Sequence, residues 1–109
     1  MSEEITLKDF KKLKIRVGTV KEVEKVPGSD KLYKMMVDLG DETRQIITGL
    51  VGYYTAEELE GKAIAVLMNL KPAKIFGQFS YGMLLAAEHG GELALLTTDR
   101  AIPNGAVVT

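Results

Sequence analysis

Tyr54-Thr55-Ala56-Glu57-Glu58-Leu59, at the middle of the chain, is its clearest local signal. Thr55 can accept a hydrogen bond from the backbone at Glu58 while the Glu58 carboxylate reaches back to the Thr55 backbone, and Tyr54 can pack on Leu59 as a hydrophobic staple. The pattern starts a short helix, and Gly61 stops it. What lies on either side of this helix is β in character. Upstream, Ile15 and Val17 alternate with Lys14 and Arg16, Gly18 predicts a bulge or bend, and Val20 and Val23 continue a long first strand. Val26-Pro27-Gly28-Ser29-Asp30 is a cluster of turn formers. A second strand, Leu32 to Leu39, puts Tyr33, Met35, Val37 and Leu39 on one face, and the turn Gly40-Asp41-Glu42 leads into a third, Arg44 to Thr48.

Downstream, Ala63 to Met68 is apolar on both faces and reads as a buried fourth strand. Gly82 to Ala87 and Leu93 to Thr97, joined through His89-Gly90-Gly91, read as a closing hairpin, and Pro103-Asn104-Gly105 as a last turn before Val107-Val108. At the N-terminus Thr6 caps a second short helix with Asp9 three residues on, and Leu7, Phe10 and Leu13 fall on one side of it. Three strands, a short helix, then two or more strands is the element order of an all-β OB-fold, a five-stranded Greek-key barrel. An SH3-like barrel lacks the helix at that point, and an α/β sheet would need more helices. With 109 residues and 11.9 kDa, the chain is expected to be one domain over residues 1–109.

Composition narrows the function. Fourteen Lys plus Arg stand against fifteen Asp plus Glu, a net charge of -1, so a uniformly basic wrapper of nucleic acid is excluded and any anion site must be a local patch. The charges are unevenly placed: residues 8–34 carry nine positive against four negative, and residues 61–87 hold Lys62, Lys71 and Lys74 with no acid. Blocks of this kind arise by ordinary variation, or they mark a site if the two basic blocks meet in space. The chain has no Cys and one His, which removes disulfides, thiol catalysis and zinc clusters. His89 sits in a glycine-flanked turn without an evident partner, Asp38, Asp41 and Glu42 surround a turn, and Glu57, Glu58 and Glu60 lie on a capped helix. No catalytic site assembles from these groups, and neither an enzyme nor a cofactor is expected. The longest apolar run, Ala63 to Met68, is far shorter than a membrane span, and the opening Met1-Ser2-Glu3-Glu4 is acidic where a secretory signal is basic then apolar, so a soluble cytoplasmic protein is expected.

OB-folds bind ligands across strands two and three, flanked by the loop between strands one and two and the loop between strands four and five. Here those loops are Val26 to Lys31 and Leu70 to Tyr81, so each basic block contributes one. The second loop holds Phe76, Phe79 and Tyr81 together with Lys71 and Lys74 and no acid. The lysines could neutralise phosphates, Ser80 and the backbone near Gly77 and Gly82 could donate to phosphate or ribose oxygens, and an aromatic could stack on an unpaired base. The alternative is that the aromatics cap the barrel and the lysines are merely solvated.

Arg16-Val17-Gly18, Pro27-Gly28-Ser29-Asp30-Lys31-Leu32-Tyr33, Val37-Asp38-Leu39-Gly40, Thr48-Gly49-Leu50-Val51, Asn69-Leu70-Lys71-Pro72-Ala73-Lys74 and Ser80-Tyr81-Gly82-Met83-Leu84-Leu85 resemble, in order and over nearly the whole chain, the EMAP II/Trbp111-type tRNA-binding domain. This domain occurs at the C-terminus of many methionyl-tRNA synthetases, in eukaryotic synthetase cofactors and as small free-standing proteins. The resemblance implies an OB-fold that grips tRNA by shape and phosphate contacts, commonly as a homodimer, with methionyl-tRNA synthetase as a partner aided in trans. Position by position it implies RNA contacts at Lys31, Asn69, Lys71, Lys74, Ser80 and Met83, with Arg16 matching as well, in a contact or a structural role. Phe76 stands where the family usually has Arg, which removes one phosphate contact and leaves an aromatic in its place, and Val26 stands where a His often precedes the Pro. A related branch, the homodimeric secretion chaperones of the CsaA type that bind unfolded peptides, is the competitor. Their tails resemble Asp99-Arg100-Ala101-Ile102-Pro103-Asn104-Gly105, and Phe76 and Phe79 suit peptide side chains. For a homodimer, the expected apolar surface is strand two, with Leu32 and Met36 on one face and Met35 and Val37 on the other, together with the tail Ala101 to Val108.

Overall fold

Strand β1 (Ile15–Lys25) is the strand from which the rest is hung. Its first half pairs antiparallel with β4 (Ala63–Leu67), from Ile15 opposite Leu67 to Thr19 opposite Ala63, and its second half pairs with β2 (Tyr33–Asp38), ending with Lys25 opposite Tyr33. Between the halves the register shifts, with Val20 opposite Val37 but Glu22 opposite Met36, so Lys21 is the extra residue of a bulge. In the computed structural model, which describes residues 3–109, β3 (Thr43–Thr48) adds to the free side of β2 and β7 (Met83–Leu84) to the free side of β4, giving a sheet of order β3-β2-β1-β4-β7. Met1 and Ser2, which begin the acidic opening, lie outside the described residues.

The sheet curls until its edges almost meet, and one buried hydroxyl joins them. Ser80, 4% exposed, accepts from the Ile47 amide of β3 at 3.0 Å and donates to the Gly82 carbonyl just before β7 at 3.0 Å. The Tyr81 amide donates to the Gln45 carbonyl at 2.9 Å beside it. Inside the nearly closed barrel lie Val20, Met35, Val37, Leu39, Ile46, Ile64 and Val66, all fully buried, which is the predicted face of the second strand and the alternate positions of its neighbours. The OB-fold expectation therefore holds.

Both capping boxes form. Thr6 and Asp9 begin α1 (Leu7–Phe10), and Thr55 and Glu58 begin α2 (Ala56–Leu59), whose Leu59 is fully buried in the barrel end with Tyr54 packed against the same cluster. Backbone donation from Thr6 and Thr55, aided by their side chains, holds the Asp9 and Glu58 carboxyls below their ordinary values. The C-terminal stretch is pinned rather than frayed: Val17 donates to Ala106, Gly105 to Val17 and Val108 to Ile15, along the start of β1. Among the described residues no helix is long and apolar enough to cross a membrane.

Four expectations are corrected. The bulge is at Lys21, and Gly18 serves close packing instead, because a Cβ there would lie 2.7 Å from Val37 Cγ1 and 2.9 Å from the Asp38 carbonyl oxygen. β4 is buried on one face only; Ala63, Ala65 and Leu67 are half-buried. The strand expected over Gly82 to Ala87 breaks at Leu85 into β7 and β8 (Ala86–His89), since the Leu85 amide turns to the Ala65 carbonyl and its carbonyl accepts from Leu96. β8 then pairs with β9 (Glu92–Leu95) in a hairpin outside the main sheet. The segment Leu70 to Tyr81 is not an open loop but carries a hairpin of its own, β5 (Ala73–Ile75) and β6 (Gln78–Ser80).

Two substitutions test this packing. Gly18→Ala must push β2 away from β1 and should lower stability by about 1–3 kcal/mol. Ser80→Ala strands the buried Ile47 amide and should cost about 1–3 kcal/mol. Urea unfolding of each should show a lower midpoint at an unchanged slope.

Candidate nucleic-acid interface

Hairpin β5–β6 lies along the outside of β3 and points its tip across the barrel mouth. Ala73 pairs with Ser80, Lys74 with Phe79 and Ile75 with Gln78, and the two tip residues, Phe76 and Gly77, both have positive φ, 54° and 80°. A two-residue hairpin turn requires that conformation, which glycine adopts freely and Phe adopts at roughly 1–2 kcal/mol. The strained Phe76 ring reaches the loop 26–32, where its Cε2 lies 3.2 Å from the position a Cβ would take on Gly28. The two loops expected to flank the site thus meet, with Phe76, 60% exposed, as the bridge.

Alternation along β6 settles which side chains face out. Ser80 points inward, so Phe79 and Tyr81 lie side by side on the outer surface, their rings stacked with centroids 6.1 Å apart and planes 25° apart. The Lys74 ammonium sits 5.9 Å from the Phe79 centroid, a cation–π distance. Gln45 of β3 fixes the platform by donating from Nε2 to the Phe79 carbonyl at 2.8 Å. Arg44 anchors its base, donating from Nη1 to the Met68 carbonyl at 2.7 Å while Nε holds Glu42 at 2.7 Å. Met83 is exposed beyond Tyr81.

The other sequence-predicted residues fall into two groups. Lys31, Lys71 and Lys74 are exposed, and among the described residues none has a carboxylate within ion-pair distance. Arg16, Asn69 and Ser80 are already occupied. Arg16, at the start of β1 and so at the opposite end of that strand from loop 26–32, holds Asp41 at 3.1 Å. Asn69 accepts from the Lys14 amide at 2.8 Å and donates to the Lys12 carbonyl at 2.7 Å, tying the segment after α1 to the end of β4. Ser80 is the buried closure described above. These three position the surface, whereas Lys31, Lys71, Lys74, Phe76 and Met83 present it.

Sequence reading missed Gln45 and Arg44. Both lie on β3 at ordinary polar positions, and only the tertiary fold shows that they grip the hairpin. The open sheet face beside the hairpin is also less basic than the loops: Lys34 is ion-paired with Glu24 at 2.8 Å, and Glu22 lies in the same shallow concavity of about 410 Å³ with Met36 and Gln45. An anion would meet carboxylates on this face and, among the described residues, none paired to Lys31, Lys71 or Lys74 at the loops.

Comparison with known proteins agrees with the geometry. The methionine–tRNA ligase of Archaeoglobus fulgidus is 53% identical over 103 residues, 94% of this chain and 16% of that protein. The chain thus spans about one sixth of the length of such curated relatives. The crystal structure of a MetRS related protein from Pyrococcus horikoshii matches with a TM-score of 0.93 at 40% identity, covering 99% of this chain and 100% of that one. The chaperone CsaA of Bacillus anthracis matches with a TM-score of 0.88 at 26% identity, over 98% of this chain and 100% of that one. The family model "Putative tRNA binding domain" matches residues 15–107, and with the barrel and its loops on the same residues, the chain belongs to this tRNA-binding domain family.

Proposed function

We propose that the chain binds tRNA through the mouth formed by loop 26–32 and hairpin β5–β6, reading shape and phosphates rather than sequence. One observation carries this reading: three unpaired ammonium groups, Lys31, Lys71 and Lys74, surround an exposed aromatic platform on a protein whose net charge is -1. Cations without carboxylate partners beside exposed stacking surface suit a polyanion with accessible bases. The protein acts in the cytoplasm and in trans, presenting tRNA to a methionyl-tRNA synthetase, the enzyme of which its relatives contain a matching segment.

A second reading rests on the same platform. Phe76, Phe79 and Met83 are exposed, and the fold is shared with the CsaA chaperone, so unfolded peptide is the competing ligand. One binding series separates the two. Affinity for tRNA should fall steeply with salt, and Lys71→Ala with Lys74→Ala should flatten the log–log slope by about one unit per lost contact. Phe76→Arg should hold or raise tRNA affinity, since a guanidinium both stacks and pairs with phosphate. Loss of polypeptide binding in that variant, with no tRNA binding in either protein, would put the chaperone reading in its place.

A homodimer completes the proposal, through a surface that keeps the expected C-terminal tail at Val107 but not the expected faces of strand two. Met35 and Val37 are inside the barrel, so strand two does not offer them. Exposed apolar groups gather instead at Ile5, Leu7 and Leu13 around α1 and at Val107, which bridges to Arg16. Pairing there would leave both mouths free on one particle. Sedimentation at micromolar concentration should give about twice the 11.9 kDa chain mass, and Leu13→Asp with Val107→Asp should return it to one.

A further inference from the structure

The neighbouring tyrosines Tyr53 and Tyr54 have opposite fates. Tyr54 is used by the fold: it packs on the core, and its hydroxyl accepts from the Leu95 amide at 3.1 Å. Tyr53 is held by its backbone, whose amide donates to the Leu50 carbonyl at 3.0 Å, yet its side chain is 46% exposed and its hydroxyl has no hydrogen-bond partner among the described residues. Its ring borders a cavity of about 490 Å³ whose other lining residues are Lys31, Leu32, Gly49, Val51 and Gly52. That volume falls within the range of small-ligand sites, about 300–1,000 Å³. Gly52, at φ 97°, makes the turn that precedes Tyr53.

Two features say what fits. The cavity adjoins loop 26–32, because Lys31 of that loop lines it and its carbonyl accepts from the Val51 amide at 3.2 Å, joining the loop to the segment after β3. Lys31 therefore stands between Phe76's side of the mouth and Tyr53. The cavity is also cationic in its lining, with Lys31 and no acid, whereas the adjoining concavity that shares Tyr53 mixes Lys25 with Glu57 and with Glu58, whose carboxylate is held by the Thr55 backbone. An exposed aromatic residue with a cation and no carboxylate in the same cavity suits a flat ring bearing an anion on the Lys31 side. We propose that this cavity takes one unpaired nucleotide, its base on the Tyr53 ring and its phosphate at Lys31. The subsite rests on the tRNA reading above and adds to it a requirement for an unstacked nucleotide near the grip on phosphates.

The chain contains no Trp, so Tyr53→Trp places a single indole in the cavity as a reporter. Total tRNA should quench its fluorescence, while a blunt RNA duplex of matched phosphate number, which offers no free base, should not. Tyr53→Ala should weaken tRNA binding about tenfold, the scale of one lost base stack, without changing the salt slope or the affinity for the duplex, and Tyr53→Phe should restore it. Thermal melting of each variant checks that the exposed position leaves the fold intact. If Tyr53→Ala binds tRNA as tightly as wild type, or loses duplex and tRNA equally, the subsite is overturned while the tRNA reading stands. Should wild-type protein fail to bind tRNA at all, both fall together.

Discussion

The Ser80 hydroxyl is the point on which barrel and binding surface both depend. By accepting from Ile47 and donating to Gly82 it satisfies two backbone groups at the one seam where the sheet has no regular ladder. Buried polar groups without such partners cost more than the bond returns when made, so the seam closes only in this arrangement. Because side chains alternate along a strand, a Ser80 fixed inward leaves Phe79 and Tyr81 no choice but the outer surface. The closure of the fold and the exposure of the aromatic platform are one event.

Electrostatics divide the cations by the same logic. Arg16, Arg44 and Lys34 lie on strands, each beside a carboxylate, and serve the architecture. Exposed pairs of this sort contribute little stability on their own, but they remove those charges from competition for a polyanion. Of the lysines without such a partner among the described residues, Lys31, Lys71 and Lys74 are on the loop and hairpin segments beside the mouth, while others, such as Lys21 and Lys25 on β1, lie elsewhere. A net charge of -1 is thus compatible with an anion site, since what matters to a ligand is the local distribution and not the total.

How much of this was legible in the sequence depended on the range of the interaction involved. Both capping boxes are complete within four residues, and both formed as read. The inward face of β2 follows from a period of two and was equally legible. The hairpin β5–β6 was missed because its turn uses Phe-Gly where Asn-Gly would announce it, and because each strand has only three residues. Asn69 reads as a free polar side chain at a strand end, yet its partners, Lys12 and Lys14, are more than fifty residues away. Gly18 reads as a bulge until β2 is laid across it. In each case the missing information was a contact between distant segments, which periodicity does not encode.

The strain at Phe76 gives the hairpin its last property. A left-handed Phe persists only where its surroundings hold it, and here the ring has Gly28 beneath it and the hairpin behind it is gripped by Gln45 and Ser80. Such a tip is preorganised: its aromatic surface does not have to be assembled when a ligand arrives, so less of the binding free energy is lost to ordering. A rigid apolar tip favours flat, rigid partners, which can match a fixed surface, over extended chains that gain most from a surface able to adapt.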